Sequence, residues 1–153
     1  MIVKTSLPST ALGLSLFLVD ASPVFKYAAP VIVGPDHVQI KAQIGQSMVL
    51  NCSALTNCGN DVALLYWLIN GSFPEDIHSN DRVTELETST LEDDTIQCGG
   101  LLLKNVTLED FNTTFTCVVS TSMGLAKKIV TLTANDSDIY AWEKKKMLLP
   151  PFF

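Results

Sequence analysis

The side chains best equipped for chemistry in this 153-residue chain are two histidines and four cysteines. His37 and His78 lie far apart, and neither has a Ser, Cys or Asp at a spacing that suggests a nucleophile–base–acid constellation. The cysteines, Cys52, Cys58, Cys98 and Cys117, include no C-x-x-C pair of the kind that holds zinc. Glu85, Glu87, Glu92, Asp93 and Asp94 could mimic a cation site or a glycosidase carboxylate pair, but they read as a solvated loop. No glycine-rich phosphate loop occurs, and Gly99-Gly100 reads as a turn before a strand. Neither catalysis, a metal nor a cofactor is expected, which leaves a binding module.

Composition sets the class of partner. Apolar residues make up 47% and charged residues 17%, enough for one folded domain. The net charge of -6 disfavours nucleic acid and anionic membranes, both of which attract basic faces. Residues 1–21 read as a secretory signal peptide: Lys4, then an apolar run from Leu7 to Val19, then Val19-Asp20-Ala21 with small residues where a signal peptidase cuts. That run is short for a bilayer core of about 30 Å. The apolar end Met147–Phe153 is shorter still, so a free extracellular monomer is expected. Five N-x-S/T sequons, at Asn51, Asn70, Asn105, Asn112 and Asn135, fit that route. Asn51 is the weakest of them, because Cys52 stands inside its triplet and an early disulfide would seal it.

The elements that position these residues are strands. His37–Ala42 alternates apolar and polar residues, and Gly45 marks a turn. Met48, Leu50 and Cys52 share one face of the next strand. Val62–Ile69 forms a further strand around Trp67, Leu101–Lys104 another, and Phe115, Cys117 and Val119 face one way on the next. Ala126–Leu132 completes the set, with its inward face ambiguous. No stretch keeps a 3.6-residue period long enough for a helix. Asn135–Phe153 reads as a tail with Lys144-Lys145-Lys146 solvated.

The order and separation of Cys52, Trp67 and Cys117 match an immunoglobulin-like β-sandwich, in which a disulfide bridges two sheets beside a tryptophan. Two packed sheets stand about 10 Å apart, a span that a disulfide and an indole fill together. The domain is expected over residues 30–134. With Cys52 and Cys117 paired, the remaining bridge is Cys58–Cys98. Phe115 occupies the place where such domains often carry a tyrosine, and Glu109-Asp110 suggests a polar corner of another kind.

The face opposite Trp67 is where binding would show. If Trp67, Leu65 and Ala63 point inward, Val62, Leu64, Tyr66 and Leu68 point outward. Four apolar residues on a solvated face need a cover. Asn70-Gly71 is a hairpin signal, so a second strand is expected to fold back and lay Phe73 near Leu64 and Tyr66. With Glu75 at its rim, the aromatic pair has the composition of an interface hot spot. Mutual burial within the hairpin is the alternative.

The string Leu65-Tyr66-Trp67-Leu68-Ile69-Asn70-Gly71-Ser72-Phe73-Pro74-Glu75 resembles the core of the interleukin-18-binding proteins, secreted single-domain decoys. Cys98–Leu103 and the Thr-x-Phe-x-Cys-Val run Thr113–Val118 match that family as well, and its second disulfide corresponds to Cys58–Cys98. The likeness covers about Gln46–Leu132. The tract Arg82-Val83-Thr84-Glu85 is also similar to one in the third immunoglobulin domain of the type 2 interleukin-1 decoy receptor. The resemblance implies that Phe73 inserts into the cytokine, with Tyr66 beside it and Glu75 at the acidic position after the phenylalanine. Leu64 stands where some relatives carry an aromatic residue, and Pro74 where relatives often have isoleucine, which suggests an edge strand. The implied function is sequestration of interleukin-18, or another interleukin-1-superfamily cytokine, by occlusion of its receptor-binding surface. A soluble interleukin-1-type decoy receptor and a non-cytokine adhesion domain are the other readings.

Overall fold

A computed structural model describes residues 29–56, 62–77, 81–91 and 95–148. Among these residues nine strands form two sheets. The first sheet holds β1 (Val31–Ile32), β3 (Met48–Leu55), β7 (Ile96–Leu103) and β5 (Val83–Glu85) in that order, and β6 (Ser89–Leu91) also pairs with β7. The second runs β2 (His37–Ala42), β9 (Gly124–Ala134), β8 (Phe115–Thr121) and β4 (Leu64–Ile69). All pairings are antiparallel except β2 with β9. This is an all-β, immunoglobulin-like sandwich.

Period-two alternation explains the core. Leu50, Cys52 and Ala54 of β3 and Leu101 and Leu103 of β7 face Leu65, Trp67, Phe115, Cys117 and Val119 of the other sheet. Trp67 is 0% exposed and lies beside Cys117 in register. Cys52 and Cys117 form the inter-sheet disulfide, with Cα atoms 6.4 Å apart. A bridge closing a 65-residue separation removes loop entropy from the unfolded chain worth about 4 kcal/mol. On β9 the inward residues are Val130 and Leu132, which resolves the face that alternation left open.

Gly99 and Gly100 lie inside β7 and are not a turn before it. The reason is close packing: a Cβ on Gly99 would collide with Leu65 Cδ2 from the opposite sheet. The strand around Trp67 starts at Leu64, two residues later than expected.

The expected polar corner is built on Asp110, which is 3% exposed. Arg82 donates to both of its carboxylate oxygens, at 2.8 and 3.0 Å, and the Thr107 N–H donates to Oδ2 at 2.7 Å. This bidentate pair ties the entry of β5 to the turn before β8, where the missing tyrosine hydroxyl would otherwise act.

Two expectations are corrected. Among the described residues only the Cys52–Cys117 bridge is closed: Cys98 is a free, half-buried thiol whose Sγ accepts from Ser53 Oγ at 3.5 Å. Strand parity puts Cys98 on the outer side of β7, level with Ser53 and Ser89, while Cys58 lies outside the described residues. The presumed tail contains a helix, α1 (Asp136–Met147). It buries no residue, so it leaves no amphipathic stripe to read. Asp136 and Asp138 in its first turn and Lys144, Lys145 and Lys146 in its last complement the helix dipole. Lys146 Nζ also sits 5.2 Å from the Trp142 ring centre. The signal-peptide residues 1–21, His78 and Glu92–Asp94 fall outside the described residues.

Candidate functional site

The edge strand β4 sorts its side chains cleanly. Leu65, Trp67 and Ile69 are buried, while Leu64, Tyr66 and Leu68 alternate outward. Leu64 is 60% exposed, and Tyr66 and Leu68 are half-buried. Val118 lies opposite Tyr66 on β8 with outward parity. It is 1% exposed yet does not belong to the central core cluster. An apolar layer therefore exists on the outside of this sheet, with Val118 as its floor. Sequence parity placed Val118 outward but gave no reason to single it out; its register with Tyr66 is the signal.

The turn after β4 brings Phe73 to that layer. Asn70 and Gly71 both take positive φ, 49° and 85°, the pattern of a type I′ turn. Ile69 and Ser72 exchange backbone hydrogen bonds of 2.8 and 3.0 Å across it. Asn70 is pinned to the start of β8: its N–H donates to the Thr114 carbonyl and its Oδ1 accepts the Thr114 N–H, both at 2.9 Å. Phe73 then stacks obliquely on Tyr66, with ring centres 5.6 Å apart and planes at 43°. It remains 43% exposed, so the pair is only partly self-buried.

Among the described residues there is no returning strand. Phe73 instead caps a short 3-10 turn, Pro74–Asp76, with Pro74 buried at its first position. Proline has no N–H to offer a ladder, and its fixed φ suits the start of a helical turn. Pro74 therefore ends strand pairing after one bridge, Ile69 with Ser72. Glu75 follows within the turn and is exposed.

Without that strand, the backbone of β4 has an open edge. Glu85 meets it from the other sheet: its Oε1 accepts the Trp67 N–H at 2.9 Å. Burial pushes the Glu85 carboxyl above its ordinary range, the Trp67 N–H pulls it back, and the nearby Glu75 charge adds to the rise. Glu85 is thus a structural acceptor and not part of a solvated acidic loop. Its parity with buried Val83 on β5 carried that signal.

The structure brings Leu64, Tyr66 and Leu68 to the outer face of β4 with Phe73 on Tyr66, while Glu75 lies in the following turn, close enough to Glu85 for their charges to interact. The sequons lie elsewhere or at its margin, and none of the five asparagines is buried. Asn51 is exposed on β3, Asn105 follows β7 with φ 55°, Asn112 ends a 3-10 turn, Asn135 precedes α1, and Asn70 sits in the turn beside Phe73. Among the described residues, no cluster of three or more His, Cys, Asp or Glu could hold a metal ion. Among them also, no helix is long and apolar enough to cross a membrane.

A family model described as Yaba-like disease virus IL18BP matches residues 37–134, which span β2 to β9. The interleukin-1 receptor accessory protein of Macaca mulatta is 29% identical over 108 residues, covering 67% of this chain. The matched stretch is 18% of that relative's length. Among solved structures, the first eight immunoglobulin domains of Down syndrome cell adhesion molecule superpose with a TM-score of 0.55 at 19% identity, over 71% of this chain and 15% of that one. The Dpr2–DIP-Theta complex gives a TM-score of 0.53 at 21% identity, over 69% of this chain and 32% of the other. These structural likenesses speak to the fold alone.

Proposed function

The chain belongs to the family typified by the Yaba-like disease virus IL18BP, and we propose that it is a secreted decoy that captures interleukin-18 and keeps it from its receptor. The observation that carries this reading is the Tyr66–Phe73 pair, half-exposed on the outer face of an edge strand, with buried Val118 in register beside Tyr66. An aromatic anchor over a packed apolar floor is what protein interface cores are made of. No strand among the described residues covers the far side of β4. Phe73 is the central contact, Tyr66 braces it, Leu64 and Leu68 widen the apolar surface, and the exposed carboxylate of Glu75 favours a basic group on the cytokine. Inhibition then needs no chemistry: a long-lived complex covers the surface the receptor requires.

The likeness to the interleukin-1 receptor accessory protein supports a second reading, an interleukin-1-receptor-type domain with another cytokine of that superfamily as its ligand. One experiment separates the two. The purified secreted protein is titrated against interleukin-18 and interleukin-1β by surface plasmon resonance, alone and in competition with each signalling receptor. Tight binding and receptor blockade confined to interleukin-18 support the decoy; binding confined to interleukin-1β supports the second reading. Binding to neither overturns both and points to an adhesion-type domain.

A further inference from the structure

The first sheet has an outer face that the cytokine reading leaves unused. Val49 and Leu55 of β3, Leu86, and Leu91 of β6 are all exposed there. A solvated face of an antiparallel sheet is ordinarily polar, and clustered apolar side chains on it call for a cover. At the centre of the face, Asn51 stands opposite Gly100 in register. Gly100 keeps the space open, because a Cβ there would come within 3.1 Å of both Leu86 Cδ1 and Val49 Cγ1, and those side chains would have to give way. The result is a shallow groove of about 340 Å³, lined by Asn51, Ser53, Leu86, Glu87, Ser89 and Cys98. The Asn51 side chain overhangs it and, unlike Asn70, makes no hydrogen bond among the described residues.

We propose that Asn51 carries an N-linked glycan whose first sugars lie across this groove and shield the apolar face. Asn51-Cys52-Ser53 is an acceptor triplet. The weakness of this triplet was the cysteine inside it, and the disulfide topology removes that objection. The partner of Cys52 is Cys117, 65 residues further on, so the triplet emerges during synthesis before the residue that could seal it. In the transfer step, Asn51 Nδ2 attacks C1 of the first N-acetylglucosamine on a lipid-pyrophosphate-linked oligosaccharide. The C1–N bond forms as the C1–O bond to pyrophosphate breaks. The lipid pyrophosphate leaves with the electron pair, and one amide proton passes to a base of the transferase. The glycan stands on the sheet opposite Tyr66 and Phe73, so it leaves the cytokine face free.

The inference rests on the secretory part of the proposed function, and its test separates the two. The full chain is expressed in mammalian cells, treated with peptide N-glycosidase F in heavy-oxygen water, and mapped by mass spectrometry. Residue 51 is expected as heavy-labelled aspartate in most molecules. Unmodified Asn51 alongside glycans at the other sequons overturns this inference and leaves secretion standing; no glycan at any sequon overturns both. Asn51→Gln should run one step faster on a denaturing gel, bind more of an apolar-surface dye than the parent, and bind cytokine as the parent does. If Asn51→Gln is not secreted, native enzymatic removal of glycans from the folded parent protein, compared with a preparation glycosylated only at Asn51, supplies the dye comparison. No rise in dye binding on removal refutes the shielding role.

Discussion

Phe73→Ala is the sharpest test of the binding face. The ring is 43% exposed and rests on Tyr66 at 5.6 Å, with no place in the central core. Its loss to folding is the aromatic contact plus part of its burial, about 1 kcal/mol. For a domain of this size that lowers the melting temperature by about 4–8 °C. Its loss to binding should be larger, because a docked partner would enclose the remaining exposed half: about 2 kcal/mol or more, at least roughly 30-fold in Kd. Most of the change should appear in the dissociation rate, since truncating an anchor leaves encounter untouched. Trp67→Ala should invert the pattern, because Trp67 is fully enclosed and its removal costs the fold about 3–5 kcal/mol. The assays are surface plasmon resonance for interleukin-18 and urea denaturation for each variant. If Phe73→Ala destabilises the fold as Trp67→Ala does, yet its folded fraction binds with unchanged affinity, Phe73 is a packing residue and the interface lies elsewhere.

Glu85 makes a signed pH prediction. Its carboxyl is raised in the fold above the ordinary 4.5, so the native state holds that proton more tightly than the unfolded chain does. The stability it contributes is complete below its unfolded value and is lost as pH rises through the folded one. Glu85→Gln keeps an acceptor for the Trp67 N–H and removes the charge; it should match or exceed the parent at pH 7 in urea melts and flatten the dependence between pH 4 and 7. Glu85→Ala leaves that N–H unmet and should cost about 1–2 kcal/mol; equal losses in both variants would refute the edge-capping role. Arg82→Ala strands the buried Asp110 carboxylate and should cost about 3 kcal/mol by the same melts, with Arg82→Lys only partly restoring it. A loss under 1 kcal/mol would mean that the corner is held by the Thr107 contact instead. Replacing Cys52 and Cys117 together by alanine and valine should cost about 4 kcal/mol in denaturant melts, and an unchanged midpoint would contradict the bridge.

Much of this protein is legible along the chain because the information is local and periodic. Alternation alone sorts Leu50 and Cys52 from Asn51, and Leu65 and Trp67 from Tyr66, since a strand must put successive side chains on opposite faces. The cysteine–tryptophan–cysteine separation identifies the sandwich, because few architectures set those three residues between two sheets. Asn70-Gly71 reverses the chain by its own backbone preference, and Phe73 falls beside Tyr66 as a consequence. What tertiary structure decided depends on residues distant in sequence. Gly99 and Gly100 carry turn chemistry locally, but Leu65 from the facing sheet requires the small size of Gly99 within a strand, and Leu86 and Val49 crowd Gly100 on the outer side. Glu85 sits in an acidic stretch, yet the unpaired Trp67 N–H exists only because Pro74 denies β4 a neighbouring strand, and only the stacked sheets bring the two together. Asn51 has the same triplet wherever it lies; its place over a groove follows from Gly100 in the next strand, and its availability follows from a disulfide partner not yet synthesised.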